Sequence, residues 1–208
     1  MAVATTVVFV VDDDASVRKS LTRVVSAAGY AVEVFASARE FLERVVVSGP
    51  CCLVLDVRMP GLTGMDLQNT LAHAVHRIPI VFITGHGDVA MSVAAMKSGA
   101  VDFLTTPFAS KDLLGAIQRA VERDTRNLGT EARTEDIQAR ARTLTPRERQ
   151  VFALVVTGML NKQIAAELGV VEKTVKVHRA RVMEKMRAGS LAQLVRLADI
   201  GGMIAARV

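Results

Sequence analysis

Three carboxylates stand where two buried strands would end. The apolar run Val7–Val11 stops in Asp12 and Asp13, and the run Leu53–Leu55 stops in Asp56. A buried parallel strand that ends in an acid presents it at the C-terminal edge of its sheet, where open α/β sheets hold their ligands. Three acids from two strand ends can converge there, with a charge that demands a cation. Hard oxygen ligands of this kind suit Mg2+ and leave one carboxylate free as a nucleophile. The N-terminal half is therefore a candidate phosphoryl acceptor. Asp14 follows the pair and suits the N-cap of the next helix, so it stays outside the metal site.

Such a site needs a sheet to position it, and the pattern supplies one. β-branched apolar runs at Thr6–Val11, Ala31–Phe35, Cys52–Asp56, Ile80–Thr84 and Val101–Leu104 alternate with helical patterns near 16–28, 38–47, 64–75, 89–98 and 110–124. Five β-α units predict a doubly wound parallel sheet with helices on both faces. The polar, weakly periodic stretch 125–143 reads as a linker, partly helical. The pattern restarts at Thr145, which caps a helix with Pro146 in its first turn and Glu148 closing a capping box. Short helices follow near 146–157, 162–168, 172–186 and 190–200, broken at Gly158, Gly169 and Gly189-Ser190. This half is a smaller all-α domain.

Charge divides along the same line. Residues 1–123 carry 11 Lys and Arg against 12 Asp and Glu, a net of −1, whereas residues 124–208 carry 15 against 9, a net of +6. The basic excess points to a polyanion partner for the C-terminal half. Half the residues are hydrophobic and Trp is absent, an aliphatic composition that argues against disorder. Adjacent Cys51 and Cys52 pair only with strain, so they read as reduced core residues rather than a redox switch. The apolar start of the chain lacks a basic region and runs into three aspartates, which argues against a signal peptide. No apolar stretch approaches the ~20 residues of a membrane span. A soluble, cytoplasmic protein without a membrane partner is expected.

In the C-terminal half, Asn161–Leu168, a glycine turn at Gly169, and a helix from Glu172 have the spacing of a helix-turn-helix. Val171, Val175, His178 and Val182 fall on one face of the second helix. Lys173, Lys176, Val177, Ala180 and Arg181 fall on the other, which suits major-groove entry with flanking phosphate contacts. The plainer reading is a solvated basic helix in an ordinary bundle. The stretch LTPRERQVFALVVTGMLNKQIAAELGVVEKTVKVHRARVMEKM resembles the LuxR/FixJ-type DNA-binding domain. That resemblance implies a four-helix module, residues 144–205, dimerising on paired promoter half-sites of double-stranded DNA. Lys176 and Val177 would face base edges, while Lys162, Lys173, Thr174 and Arg179 would hold the phosphate backbone, with Arg181 on the same basic face.

Residues 6–124 resemble the receiver domain of two-component response regulators, through VFVVDDD, LVLDVRMPGLTG, IVFITGHGD and AMKSGAVDFL. The resemblance implies a flavodoxin-like fold in which Asp56 accepts a phosphoryl group from a sensor histidine kinase. Asp13 and Asp56 would coordinate Mg2+ with the Arg58 backbone carbonyl, and Asp12 would act through water. Thr84 would bond the phosphoryl oxygen, and Thr84 with Phe103 would relay the change to a dimer face near 89–121. His86 would at most tune dephosphorylation. One position departs from the family. Receivers place a lysine before the proline that follows the fifth strand, and here Thr106 precedes Pro107. That lysine would make a charge-assisted contact worth roughly 1.5–3 kcal/mol, for which Thr106 is too short and uncharged.

The expected protein is a DNA-binding transcriptional response regulator, a switch rather than an enzyme, with a homodimer on activation and RNA polymerase as a further partner. Two alternatives remain. In one, the receiver is degenerate and DNA binding is independent of phosphorylation. In the other, Asp12-Asp13-Asp14 resembles the first motif of haloacid-dehalogenase-type phosphatases, with Asp12 as nucleophile and Asp14 as acid/base. The later acidic pair of those enzymes is missing, since Val101–Pro107 offers only Asp102.

Overall fold

A computed structural model of the chain describes residues 6–43, 49–73, 77–85 and 89–204. The first five residues, the ends of the helices expected over 38–47 and 64–75, His86 and Ala205 lie outside the described residues. The chain divides into two compact units, Met1–Leu128 and Gly129–Val208.

The first unit alternates strand and helix: β1 (Val7–Val11), α1 (Ala15–Ala27), β2 (Ala31–Phe35), α2 (Ala38–Leu42), β3 (Cys51–Asp56), α3 (Gly64–Ala72), β4 (Ile80–Thr84), α4 (Val89–Lys97), β5 (Asp102–Thr105) and the start of α5 (Ser110–Arg142). The strands form one sheet in the order β2-β1-β3-β4-β5, and every neighbouring pair is parallel. Alternation along each strand sends side chains to two cores. Phe9, Leu53, Leu55 and Phe82 pack with Phe41 of α2, Leu67 of α3 and Ala95 of α4. Val8, Val10, Cys52, Val54, Val81 and Ile83 pack with Leu21 and Val25 of α1 and with Leu113, Ala116 and Ile117 of α5. The sheet is thus covered on both faces, as a doubly wound fold requires. Cys51 and Cys52 are buried on opposite faces of the sheet.

The segment expected as a linker is helical as far as Arg142, so α5 runs 33 residues without a break. In the second unit follow α6 (Pro146–Val156), α7 (Asn161–Glu167), α8 (Glu172–Lys185) and α9 (Leu191–Ile200). Thr145 and Glu148 form the expected capping box with Pro in the first turn of α6. Ile137, Val151, Phe152, Ile164, Val175, Val182, Met186 and Leu194 make a single apolar core. One expectation fails within α8. Val171, placed on the apolar face with Val175 and Val182, is 68% exposed. It is the N-cap residue, where the backbone is not yet helical and the 3.6-residue period does not apply.

Candidate functional site

Register brings the acids together. Val11 stands opposite Leu55 on the adjacent strands β1 and β3, so Asp12 and Asp56 leave the sheet at one level. Oxygens of Asp12, Asp13 and Asp56 all lie within 4.8 Å of one another. Asp12 is buried, Asp56 half-buried and Asp13 exposed, so the cluster opens to solvent on one side. Asp14 accepts from the Ser16 N–H at 2.7 Å and caps α1. This is the N-cap place expected for Asp14.

Burial dominates the protonation of these groups. Burial, seconded by the charges of Asp56, Asp13 and Asp14, pushes the Asp12 carboxyl up to about 6, against the 2.8 Å bond that its Oδ1 accepts from the Asp14 N–H. Burial also raises Asp56, with Asp13 adding to the effect. The backbone N–H groups of Arg58 and Val57 and the Arg58 charge pull the other way. Three hard oxygen donors, of negative charge and crowded enough to favour protons, fit Mg2+.

The neighbouring strands complete the edge. Asp56 pairs in register with Ile83, which places Thr84 one step further along β4. Thr84 is 3% exposed. Its carbonyl accepts the Thr106 N–H at 2.9 Å and the Thr106 hydroxyl at 3.5 Å. Thr106 therefore closes onto the β4 backbone beside the site, while its side chain brings no charge. Phe103 lies half-buried on β5 with its ring 6.1 Å from that of Phe82. Gly64, the first residue of α3, explains the second glycine of MPGLTG: a Cβ there would meet the Asp56 carbonyl oxygen at 2.2 Å. The helix reaches the acid strand only because this residue has no side chain.

The second unit gathers the other predicted residues on α7 and α8. The turn between them passes through Gly169 at φ +64°, a left-handed geometry that favours glycine. Lys162, Lys173, Lys176, Val177 and Arg181 are exposed, while Thr174 and Arg179 are half-buried. Arg179 donates to the Asn161 side chain at 3.0 Å and so joins α8 to the start of α7. Lys176 pairs with Glu172 one turn earlier at 3.1 Å. Leu160 and Val171, the N-cap residues of the two helices, are exposed, as is Val177 on α8. Arg18, Gly64 and Asn161 were missed in the sequence. The glycine eight residues after Asp56 was a usable signal for one of them, but partners of Arg18 and Asn161 depend on side-chain geometry that spacing does not give.

Comparison with known proteins gives two family matches. Residues 8–118 match the model described as response regulator receiver domain, and residues 142–198 the model described as bacterial regulatory proteins, luxR family. The chain is 50% identical over 199 residues to nodulation protein W of Bradyrhizobium diazoefficiens, covering 96% of this chain and 88% of that protein. It is 44% identical over 197 residues to the transcriptional regulatory protein FixJ of the same organism, covering 95% and 96%. Among solved structures, that of the response regulator StyR superposes with a TM-score of 0.83 at 46% identity, over 94% of this chain and 99% of that one.

Proposed function

Because the chain belongs to the response regulators, DNA-binding transcriptional regulators that join a receiver to a LuxR-type domain, we propose that it is switched by Mg-dependent phosphorylation of Asp56 by a sensor histidine kinase. The observation that carries this reading is the convergence of Asp12, Asp13 and Asp56 within 4.8 Å at the sheet edge. Residues 6–124 would be the receiver, 125–143 the linker and 144–205 the DNA-binding domain.

An Asp56 oxygen attacks the phosphorus of the donor phosphohistidine. The P–N bond breaks, the nitrogen leaves with the electron pair, and Asp56 becomes an acyl phosphate. Asp12, Asp13, Asp56 and the Arg58 carbonyl would hold Mg2+, which when bound neutralises charge on the transferring group. Asp12 has to be ionised for this, so its raised proton affinity opposes loading in acid. Thr84 stands one step beyond the Asp56 level and would bond a phosphoryl oxygen. Thr84 and Phe103 would then carry the change to the surface of α4 and β5. On α4, Val89, Val93 and Met96 are exposed at a spacing of four and three residues, an apolar stripe suited to a second copy of the chain. The homodimer would present two copies of α8 to paired half-sites, with Lys176 and Val177 at base edges and Lys162, Lys173, Thr174, Arg179 and Arg181 at phosphates. RNA polymerase would be met on the promoter.

Thr106 favours a second reading, in which DNA binding is independent of phosphorylation. Incubation with a small-molecule phosphoryl donor and Mg2+ separates the two. Wild type should be labelled and Asp56→Asn should not. Equal labelling of the two proteins, or none of either, contradicts the first reading.

A further inference from the structure

Arg18 stands on the first turns of α1, and its guanidinium folds back onto the loop that carries the acid pair. One nitrogen, Nη1, donates to the Asp12 carbonyl at 2.6 Å and to the Asp13 carbonyl at 2.9 Å. The two residues whose carbonyls it holds each carry a carboxylate, yet among the described residues no ion pair joins Arg18 to either. A guanidinium ordinarily takes a carboxylate in preference to a neutral carbonyl. Here it is bound to the main chain, and the carboxylate oxygens stay available to a cation.

We propose that Arg18 is a positioning residue of the metal site, acting through the backbone of Asp12 and Asp13. Two carbonyls that converge on one donor have the orientation of both peptide planes fixed, and with them the Cα–Cβ directions of both acids. The remaining bonds of the loop act in the same sense. The Asp12 N–H reaches the Phe35 carbonyl at 3.3 Å, and the Asp14 N–H reaches Asp12 Oδ1 at 2.8 Å. Arg18 is the side chain that holds the carbonyl side of this turn. Partners one layer outside a metal's own ligands commonly set affinity by orienting those ligands. This inference deepens the phosphoacceptor reading of the same site and rests on it.

The test uses the full chain as wild type, Arg18→Met, Arg18→Lys and Arg23→Ala. Arg18→Met keeps the apolar stem, and Arg23→Ala removes a cation from the same helix without touching the loop. Mg2+ affinity is measured by calorimetry, thermal unfolding is followed in chelator, and labelling by a phosphoryl donor is recorded alongside. Arg18→Met should bind Mg2+ about tenfold more weakly or worse, as losses of such outer partners do, with its unfolding temperature in chelator close to wild type. Arg18→Lys should fall between the two, and Arg23→Ala should match wild type. A folded Arg18 variant with wild-type affinity overturns the inference, as does an equal loss in Arg23→Ala. Should the Met variant not fold, the Lys variant decides: weaker binding supports the inference and wild-type binding overturns it. Wild type that binds Mg2+ but is not labelled at Asp56 contradicts the phosphoacceptor reading and leaves the role of Arg18 standing. Wild type that binds no Mg2+ removes both.

Discussion

At Asp12 a carboxyl with 4% exposure is pushed up to about 6 from an ordinary value of 3.8. Its folded pKa lies above its unfolded one, so the folded chain binds the extra proton between those values. The cost to stability is therefore full above about pH 6, where the folded group ionises, and gone below about 4. Asp12→Asn keeps an Oδ1 for the Asp14 N–H and removes the charge. Without metal it should be more stable than wild type at pH 7 by on the order of 1–2 kcal/mol, and chemical denaturation should find that gain fading as the pH falls to about 4. If the cluster holds Mg2+, its affinity should accordingly decline below about pH 6, which calorimetry across that range would read. Thr106→Lys restores a cation to the end of β5, and under the phosphorylation reading it should strengthen phosphorylation-dependent dimerisation. Sedimentation that finds no change in either state counts against this. On α8, Lys176→Ala should relax base preference more than it weakens non-specific binding, whereas a uniform loss across sequences would mark Lys176 as a phosphate contact.

Among the elements, the start of α6 and the end of α8 are joined by one buried carboxylate. Glu148 is 2% exposed, caps α6 and bonds Lys185 at 2.6 Å. The Lys185 bond first, then the Thr145 N–H, lower its carboxyl to about 2. A depressed folded pKa gives stability that is present above the unfolded value of about 4.5 and is lost as pH falls towards 2. Lys185→Met leaves Glu148 buried without its cation but still accepting from the Thr145 N–H, and should cost the helical unit roughly 1.5–3 kcal/mol in denaturant melts at pH 7, shrinking in acid. The strands were legible because buried parallel strands are continuous apolar runs, and β2 and β4 fall where their residues predict. The acid cluster was legible for the same reason, since register follows once strand ends are known. The helix over 125–142 was not. Its apolar positions are too sparse to show a period, and only Ile137 is buried there. Its Arg, Glu, Ala and Gln are nevertheless strong helix formers, and that propensity carries it through Gly129. The exposure of Val171 was equally hidden, because a periodicity count cannot tell a cap from the first helical residue.

At the scale of the molecule, the two units divide the work as their charge does. The acidic site belongs to the half with a net of −1, and the exposed basic residues of α7 and α8 to the half with +6. DNA affinity should accordingly fall linearly with salt on logarithmic axes, and Lys173→Ala should reduce the slope by about 1 if it holds one phosphate. On this reading the acid cluster controls DNA binding through Asp56. This control is tested most directly by following Asp56 phosphorylation and promoter affinity together, with and without Mg2+ and phosphoryl donor, in wild type and Asp56→Asn. Labelling is expected only of wild type and only with Mg2+, with tighter DNA binding rising in step. DNA affinity that is the same in all of these conditions would contradict it.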